Sequence, residues 1–492
     1  MQLRRSVICA LALALVSAAA LAAKPSEMPI TTSSPEARVL FEKARDMSDN
    51  LEIPGAIALF DQAIEKDPSF AMAYVLRATT TGSERYRDDI AKAAGMMARV
   101  SPGEQLWILA EKAFADGQAA AARKPLEELV QMFPADKHVR LRAGAFYLMV
   151  AREPALAMTH LAKATTIDPT FAAAYNLLGY VQVDQGQLRT AEKTFQKYIA
   201  LLPNRPNPYD SYAELLMKMG RYDESIVQYR KALAKDPMFL SSLAGVGQNL
   251  VLKGDFESAR QAFDQQHQQA QDADTQLNAT EQIAKSYVAE GKVDRAIEAY
   301  GRLNDEAKAK QAPMRAASAC FDAAFVLTQA GNLDEAKAWV SRAEAGVSEA
   351  TLPVAVKARL GRSVHLAQAR IHGAAGEFDS AHAELDSVRP AIEEAQLPSE
   401  MRMMNEVAGV LALEQHRYTE AVSYLAKADS RSPYVLFQQA TAMAGAGQNA
   451  KAADLFRKVA EWNTADLGYA MVRDQAREKA ATAPVATAGR KR

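Results

Sequence analysis

Small and large apolar positions along the chain fall into a register that recurs about every 34 residues. Taking the small residue near the middle of each period as an anchor gives Ala56, Ile90, Ala122, Ala157, Ala191, Ser225, Ala259, Ala296, Ala336, Ala381, Ala421 and Ala452. Their spacings are 34, 32, 35, 34, 34, 34, 37, 40, 45, 40 and 31 residues. Twelve positions earlier a second small residue stands every time: Ala44, Ala78, Ala110, Ala145, Gly179, Ala213, Gly247, Ala284, Ala324, Ala369, Gly409 and Ala440. Only the first column was chosen for smallness, so the second is an independent sign of repetition. Four positions after the anchor most units place a large apolar side chain, such as Phe60, Leu161, Phe195, Tyr229, Phe263, Tyr300 and Phe456.

An offset of four keeps residues on one side of a helix, and the breakers between the two small columns mark where helices end. Eight units carry glycine five positions before the anchor: Gly117, Gly186, Gly220, Gly254, Gly291, Gly331, Gly376 and Gly447. A helix that stops in a left-handed residue favours glycine there, because no Cβ clashes. Proline follows the anchor by twelve at Pro68, Pro102, Pro134, Pro169, Pro203, Pro237 and Pro433, with Asp67, Ser101, Asp168 or Asp236 before it as a candidate N-cap. Each period therefore predicts helix, glycine turn, helix, proline turn. The small columns let the two helices approach closely, and the large column is expected to fill the space between neighbouring units. Over about residues 265–433 the units lengthen and lose that proline, which predicts longer helices or added loops. The polar run at 265–276 is a candidate hinge.

Set in these columns, Tyr175-Asn176-Leu177-Leu178-Gly179 followed by Ala191, Phe195 and Pro203 resembles the tetratricopeptide repeat family. The resemblance covers residues 37–464; it is strong from Ala157 to Ala259 and weaker at Ile90, where Ala94 and Met97 replace larger residues. It implies an all-α fold, a right-handed superhelical solenoid of about twelve helix-turn-helix repeats. It also implies a concave face built from the first helix of each unit. In that family, ligand-facing positions lie 18, 15, 11, 8 and 7 before the anchor, which here select Glu104, Trp107, Glu111 and Phe114, then Arg142, Phe146 and Met149. Asn176, Tyr180 and Asp184 come next, followed by Asn207, Asp210, Glu214 and Lys218. Glu281, Lys285, Phe321, Phe325, Arg370, Glu406, Tyr434 and Phe437 continue the face. Aromatic anchors among polar groups suit a peptide-binding groove; the alternative for each ring is packing between units. The lysine/asparagine clamp that some members use for a C-terminal carboxylate is absent, which argues against a chaperone-tail ligand.

Composition narrows the setting. The chain has 492 residues, 49% hydrophobic and 24% charged, with a formal net charge of −1, the profile of a folded protein without the basic excess that nucleic acid attracts. Residues 1–22 read as a bacterial secretory signal peptide: Arg4 and Arg5, an apolar stretch from Val7 to Val16, and small residues around Ala20-Leu21-Ala22. Retention of this segment as an anchor is the alternative, and Arg4-Arg5 also fits a loose twin-arginine signal. Its loss takes the net charge to −3 and leaves one cysteine, Cys320, so no internal disulfide can form. Elsewhere no apolar run is long enough to span a bilayer. Residues 23–36 read as a linker, 465–480 as a capping helix and 481–492 as a disordered basic tail. The expected location is the periplasm or the exterior.

Catalytic chemistry is missing from the pattern. There is no glycine-rich phosphate loop, no His-Glu-x-x-His, no Cys-x-x-Cys and no Gly-x-Ser-x-Gly. His365 and His372 are seven residues apart, about two helical turns, too far to share a zinc ion with His382 nearby. Cys320 beside Phe321 reads as a buried, inert thiol. No cofactor, no metal and no enzyme activity are expected. The leading reading is an exported, non-catalytic scaffold that binds a protein or peptide in its concave groove. The alternative is a structural accessory of an envelope assembly or of a polysaccharide or protein export apparatus.

Overall fold

Helix follows helix from Pro35 onward within residues 27–81 and 85–482, the parts of the chain that this computed structural model describes. The signal segment expected at 1–22 and residues 483–492 of the expected tail lie outside them. The chain divides into two compact units, Met1–Leu215 and Leu216–Arg492. The division falls inside a helix, and the polar run at 265–276 supplies the end of one helix and the Asp272-capped start of the next.

The first unit contains α1 (Pro35–Asp49), α2 (Ile53–Lys66), α3 (Ala71–Thr81), α4 (Tyr86–Gly95), α5 (Pro102–Ala115), α6 (Arg123–Met132), α7 (Lys137–Met149), α8 (Pro154–Ile167), α9 (Ala172–Asp184), α10 (Leu188–Leu201) and most of α11 (Asn207–Lys218). The second holds α12 (Tyr222–Lys235), α13 (Leu240–Lys253), α14 (Phe256–Gln269), α15 (Ala273–Ala289), α16 (Val293–Ala309), α17 (Pro313–Gln329) and α18 (Leu333–Glu349). It continues through α19 (Val354–Ala374), α20 (Phe378–Glu394), α21 (Pro398–Glu414), α22 (Tyr418–Leu425), α23 (Pro433–Gly445), α24 (Asn449–Ala460) and α25 (Leu467–Thr482). In each unit consecutive helices pack on one another, and no strand occurs among the described residues. This is an all-α repeat solenoid.

The turns obey the column found in the sequence. All eight column glycines have positive φ, between 69° and 86°. Of the four units that lack glycine, three still turn left-handed at that position, Leu51 at 60°, Arg152 at 57° and His416 at 58°, whereas Arg85 has φ of −81°. The turn geometry thus belongs to the fold, and glycine is the residue that adopts it without strain. Of the expected N-caps, Ser101 caps α5 in a reciprocal capping box with Glu104. Asp67, Asp168 and Asp236 act one turn earlier, accepting the N–H two residues on and so folding the chain around the proline.

Packing refines the expected role of the large column. A Cβ on Gly247 would fall 2.4 Å from the Phe263 ring, and one on Gly409 would fall 2.6 Å from Leu425, so the large residue seats on the small column of its own unit. Tyr229 also covers Gly245 of the following unit. One side chain therefore fills both the helix pair and the space between units.

The long units correct the expectation of a lost proline. There α16, α18 and α20 each have 17 residues, against 14 in α8, α10 and α12, and the proline has moved to seventeen after the anchor: Pro313, Pro353 and Pro398. A longer second helix carries its terminator with it.

In the second unit α25 packs on α23 and α24 and also on α15. Its Arg473 is buried and donates to the carbonyl oxygens of Val251 and Leu252, at 3.2 and 3.0 Å, where α13 ends. Ahead of it, Asn463 accepts from the Tyr222 hydroxyl and donates to the Lys218 carbonyl. A helix that only capped the last repeat would touch α23 and α24 alone. Among the described residues no helix is long and apolar enough to cross a membrane.

Candidate functional site

Ahead of α1, residues 28–33 run extended across three successive junctions between repeats of the first unit. The N–H of Met28 donates to Asp136 at 2.8 Å, that of Thr31 to Glu104 at 2.8 Å and that of Ser33 to Asp67 at 3.0 Å. The Thr31 and Thr32 hydroxyls bond Glu104 and Asp67, both at 2.6 Å, and Ser101 donates to the Pro29 carbonyl. All three carboxylates are buried, and Met28 is sunk against Gly103 and Phe133. At Asp67 burial pushes the carboxyl up, but hydrogen bonds from Ser69, Thr32 and Ser33 outweigh it and hold the group down at about 2. Apart from Glu104, which came from the repeat offsets, this seat was not foreseen as a site. Asp67 and Ser101 were visible only as cap candidates, and Asp136 carried no signal of its own.

Beside this strap lies a cleft of about 260 Å³ lined by Arg38, Phe41, Arg45, Met72, Leu76, Trp107 and His138. Trp107 is 6% exposed, and among the described residues its Nε1 and the Nε of Arg45 are buried without a partner. Asp46, Asp49 and His138 bring ligand-type atoms within 4.8 Å of one another, and His138 Nε2 lies 3.2 Å from Asp49 without the alignment of a hydrogen bond.

The other residues picked from the offsets form two clusters and several isolated positions. Glu111, buried, accepts from Arg142 Nε at 2.6 Å and from the Tyr86 hydroxyl at 3.0 Å. The Arg142 guanidinium covers Phe114 at 5.0 Å, and Phe114 meets Phe146, which is 1% exposed. Tyr180 donates to Glu214 at 2.7 Å and stands edge-on to Phe195, while Ser211 donates to Asn176. Burial followed by the nearby Glu214 charge raises the Tyr180 phenol well above its usual range. Asp210 is buried, whereas Met149, Asp184 and Lys218 are exposed and stand apart. These side chains thus link one first helix to the next, as a ladder between repeats.

In the second unit a cavity of about 320 Å³ opens between α17, α19 and α21, walled by Phe321, Phe325, Leu366, Ala367 and Met403. Arg370 pairs with Glu406 at 2.8 Å and lies over Phe325 at 5.5 Å; its Nη1 is buried without a partner among the described residues. Asp322 lines the same space, and burial pushes its carboxyl up to about 7. It sits fourteen before its anchor, off the carried offsets, so sequence reasoning missed it. Glu414, at the end of α21, is likewise raised by burial to about 7.

The histidines expected to be apart are engaged separately: His365 with Glu384 at 2.6 Å, His372 with Glu377 at 2.5 Å and His382 with Arg417 at 3.4 Å. Cys320 is buried, accepts from Asn304, and burial lifts its thiol to about 11, which suppresses thiolate chemistry.

Three tetratricopeptide repeat models match the chain, one over residues 213–274 and again over 366–435, a second over 172–205 and a third over 317–342. Tetratricopeptide repeat protein 37 of Xenopus laevis is 29% identical over 108 residues, which cover 22% of this chain and 7% of that protein. Superkiller complex protein 3 of Mus musculus is 29% identical over 120 residues, 24% of this chain and 8% of that protein. The chain thus spans under a tenth of the length of these relatives. Among solved structures, MamA is 24% identical, with 32% of this chain and 91% of that chain covered at a TM-score of 0.29. PilW, a type IV pilus biogenesis factor, is 16% identical, with 47% and 93% covered at a TM-score of 0.31. At these TM-scores the structures add nothing to what the repeats themselves establish. From the column register, the helix pairs it produces and the four matched stretches, the chain is built of tetratricopeptide repeats.

Proposed function

We propose that the chain is a non-catalytic scaffold, exported from a bacterial cytoplasm, that captures an extended segment of a protein partner on the first helices of its repeats. One observation carries this reading: buried carboxylates of the first unit already hold an extended stretch of backbone, residues 28–33, through its N–H groups. The cleft beside that strap is lined mainly by polar groups and holds two donors with no partner among the described residues, Trp107 Nε1 and Arg45 Nε, which suit the carbonyl groups of a second extended segment. Export rests on the pattern of residues 1–22.

The test is selection of displayed random twelve-residue peptides on the immobilised full chain. An enriched family whose binding weakens in Trp107→Phe, which keeps the ring and removes the N–H, supports the reading. No enrichment above bare matrix sinks it. Fractionation of the producing cell tests export, and a cytoplasmic chain of unprocessed length overturns that part alone.

A further inference from the structure

The cavity between α17, α19 and α21 holds two unsatisfied groups of opposite character. Among the described residues Asp322 makes no hydrogen bond, and its carboxylate meets other charges only through space. Across the cavity Arg370 spends part of its guanidinium on Glu406 and leaves Nη1 buried and unbonded. Asp322 is half-buried, and a buried donor such as Arg370 Nη1 costs free energy while unpaired. Between them lie Phe321, Phe325, Leu366 and Met403, an apolar wall broad enough for one large side chain. Pockets that pair an apolar wall with a few convergent polar groups are built for ligands.

We propose that this cavity seats one aminoacyl unit with a large apolar side chain, its N–H group on Asp322 and its carbonyl or carboxylate oxygen on Arg370. The inference rests on the scaffold reading and names the chemistry by which the second unit grips a partner. The charges around the site fit a ligand without net charge. Glu281 on α15 is shared by Lys285 and Arg315, and the surplus positive charge of that trio balances an ionised Asp322. On the far side Arg370 and Glu406 cancel each other, and Glu414, which burial keeps protonated up to about 7, adds no charge below that pH. A lone cation or a lone anion would upset that balance, whereas an amide, or an ammonium with its own carboxylate, leaves it intact. Two sources present this chemistry: an internal residue of a partner chain, or a free amino acid.

Methyl NMR of the full chain reads the site through Met403, which lines the cavity and is 41% exposed. The probes are N-acetyl-leucine methylamide for an internal residue, free leucine for the zwitterion, and isoamyl alcohol, which keeps the side chain without the backbone. A saturable Met403 shift with either backbone probe, at least about tenfold tighter than with the alcohol and weakened about tenfold in Asp322→Ala, supports the assignment. Asp322→Asn separates the sources, because an amide oxygen still accepts from an amide N–H but no longer balances an ammonium. In Glu414→Gln, which removes the other carboxyl raised to about 7 beside Arg370, binding by the supported probe should tighten between pH 6 and pH 8 as Asp322 loses its proton. No shift with either backbone probe, equal binding by the alcohol, or an unchanged response in Asp322→Ala overturns the assignment. If the displayed-peptide selection still succeeds in that case, the scaffold reading stands and only this cavity is lost.

Discussion

The ring of Phe195 occupies the space where a side chain on Gly179 would begin, so that a Cβ there would fall 2.6 Å from two ring carbons. Both residues are in one repeat, Gly179 on α9 and Phe195 on α10, and Phe195 is fully buried. Gly179→Leu should therefore destabilise the protein by about 1–3 kcal/mol through overpacking. Because repeats contact mainly their neighbours, amide exchange should rise over α8 to α10 and stay unchanged in distant helices. Faster exchange along the entire chain would contradict this.

The glycine column predicts substitutions of opposite sign. His416 holds φ at 58°, a conformation that costs a side-chain-bearing residue roughly 1–2 kcal/mol. His416→Gly should stabilise by about 0.5–1 kcal/mol once the greater freedom of unfolded glycine is counted. Gly331→Ala should destabilise by about 1 kcal/mol, although nothing lies within 4 Å of the new methyl group, because the backbone there has φ of 80°. Urea unfolding of the two variants checks the pair, and equal signs would refute it.

The strap should respond to acid. Asp67 has its carboxyl held at about 2 against an ordinary 3.8, so its stabilising effect is present above 3.8 and is lost as pH falls from there through 2. Exchange of the amides at 28–33 should accelerate over that window before the helices of the second unit open. Glu104→Gln places an amide among donors and should free the same segment at neutral pH, costing about 1–3 kcal/mol. A strap that remains protected in this variant would show that Met28 and its apolar seat hold it alone.

Asp322 works in the reverse direction. Its folded carboxyl sits at about 7, above the ordinary 3.8, so the folded state holds a proton that the unfolded chain has lost. Stability is then fully present below 3.8 and falls as pH rises through 7. Asp322→Asn should stabilise by about 1–3 kcal/mol at pH 8 and by less at pH 5. A gain independent of pH would mean that the carboxylate is solvated in the free protein.

Much of the helix and turn plan was legible because it rests on residue types that leave a mark in the sequence. Glycine marks eight left-handed turns, but Leu51, Arg152 and His416 adopt the same φ with nothing in their chemistry to announce it. The longer units looked as if they had lost a proline because the offset was held at twelve while Pro313, Pro353 and Pro398 had moved with their longer helices. At the candidate site, the offsets located residues of the first helices but not what they face. Phe146 and Tyr180 are spent on the ladder between repeats, where burial decides, and burial depends on side chains about thirty residues away. The strap has no period at all. Its partners are backbone groups, which every residue has, so only the three carboxylates that receive them left any trace.

The hook from Arg473 to Val251 joins residues 222 apart in the chain. A ribosome delivers α13 and α15 long before α25, so through most of synthesis the faces that α25 covers have no cover, and Leu252 waits beside them. Repeat proteins ordinarily close their cores locally and can fold as they emerge. Here a contact of very long sequence separation must form before the second unit is complete, which slows its final step and ties its early repeats to its late ones. Newly made chains would thus pass through a stage in which nearly every helix is present and the interior is still open, the stage at which a chaperone would find them.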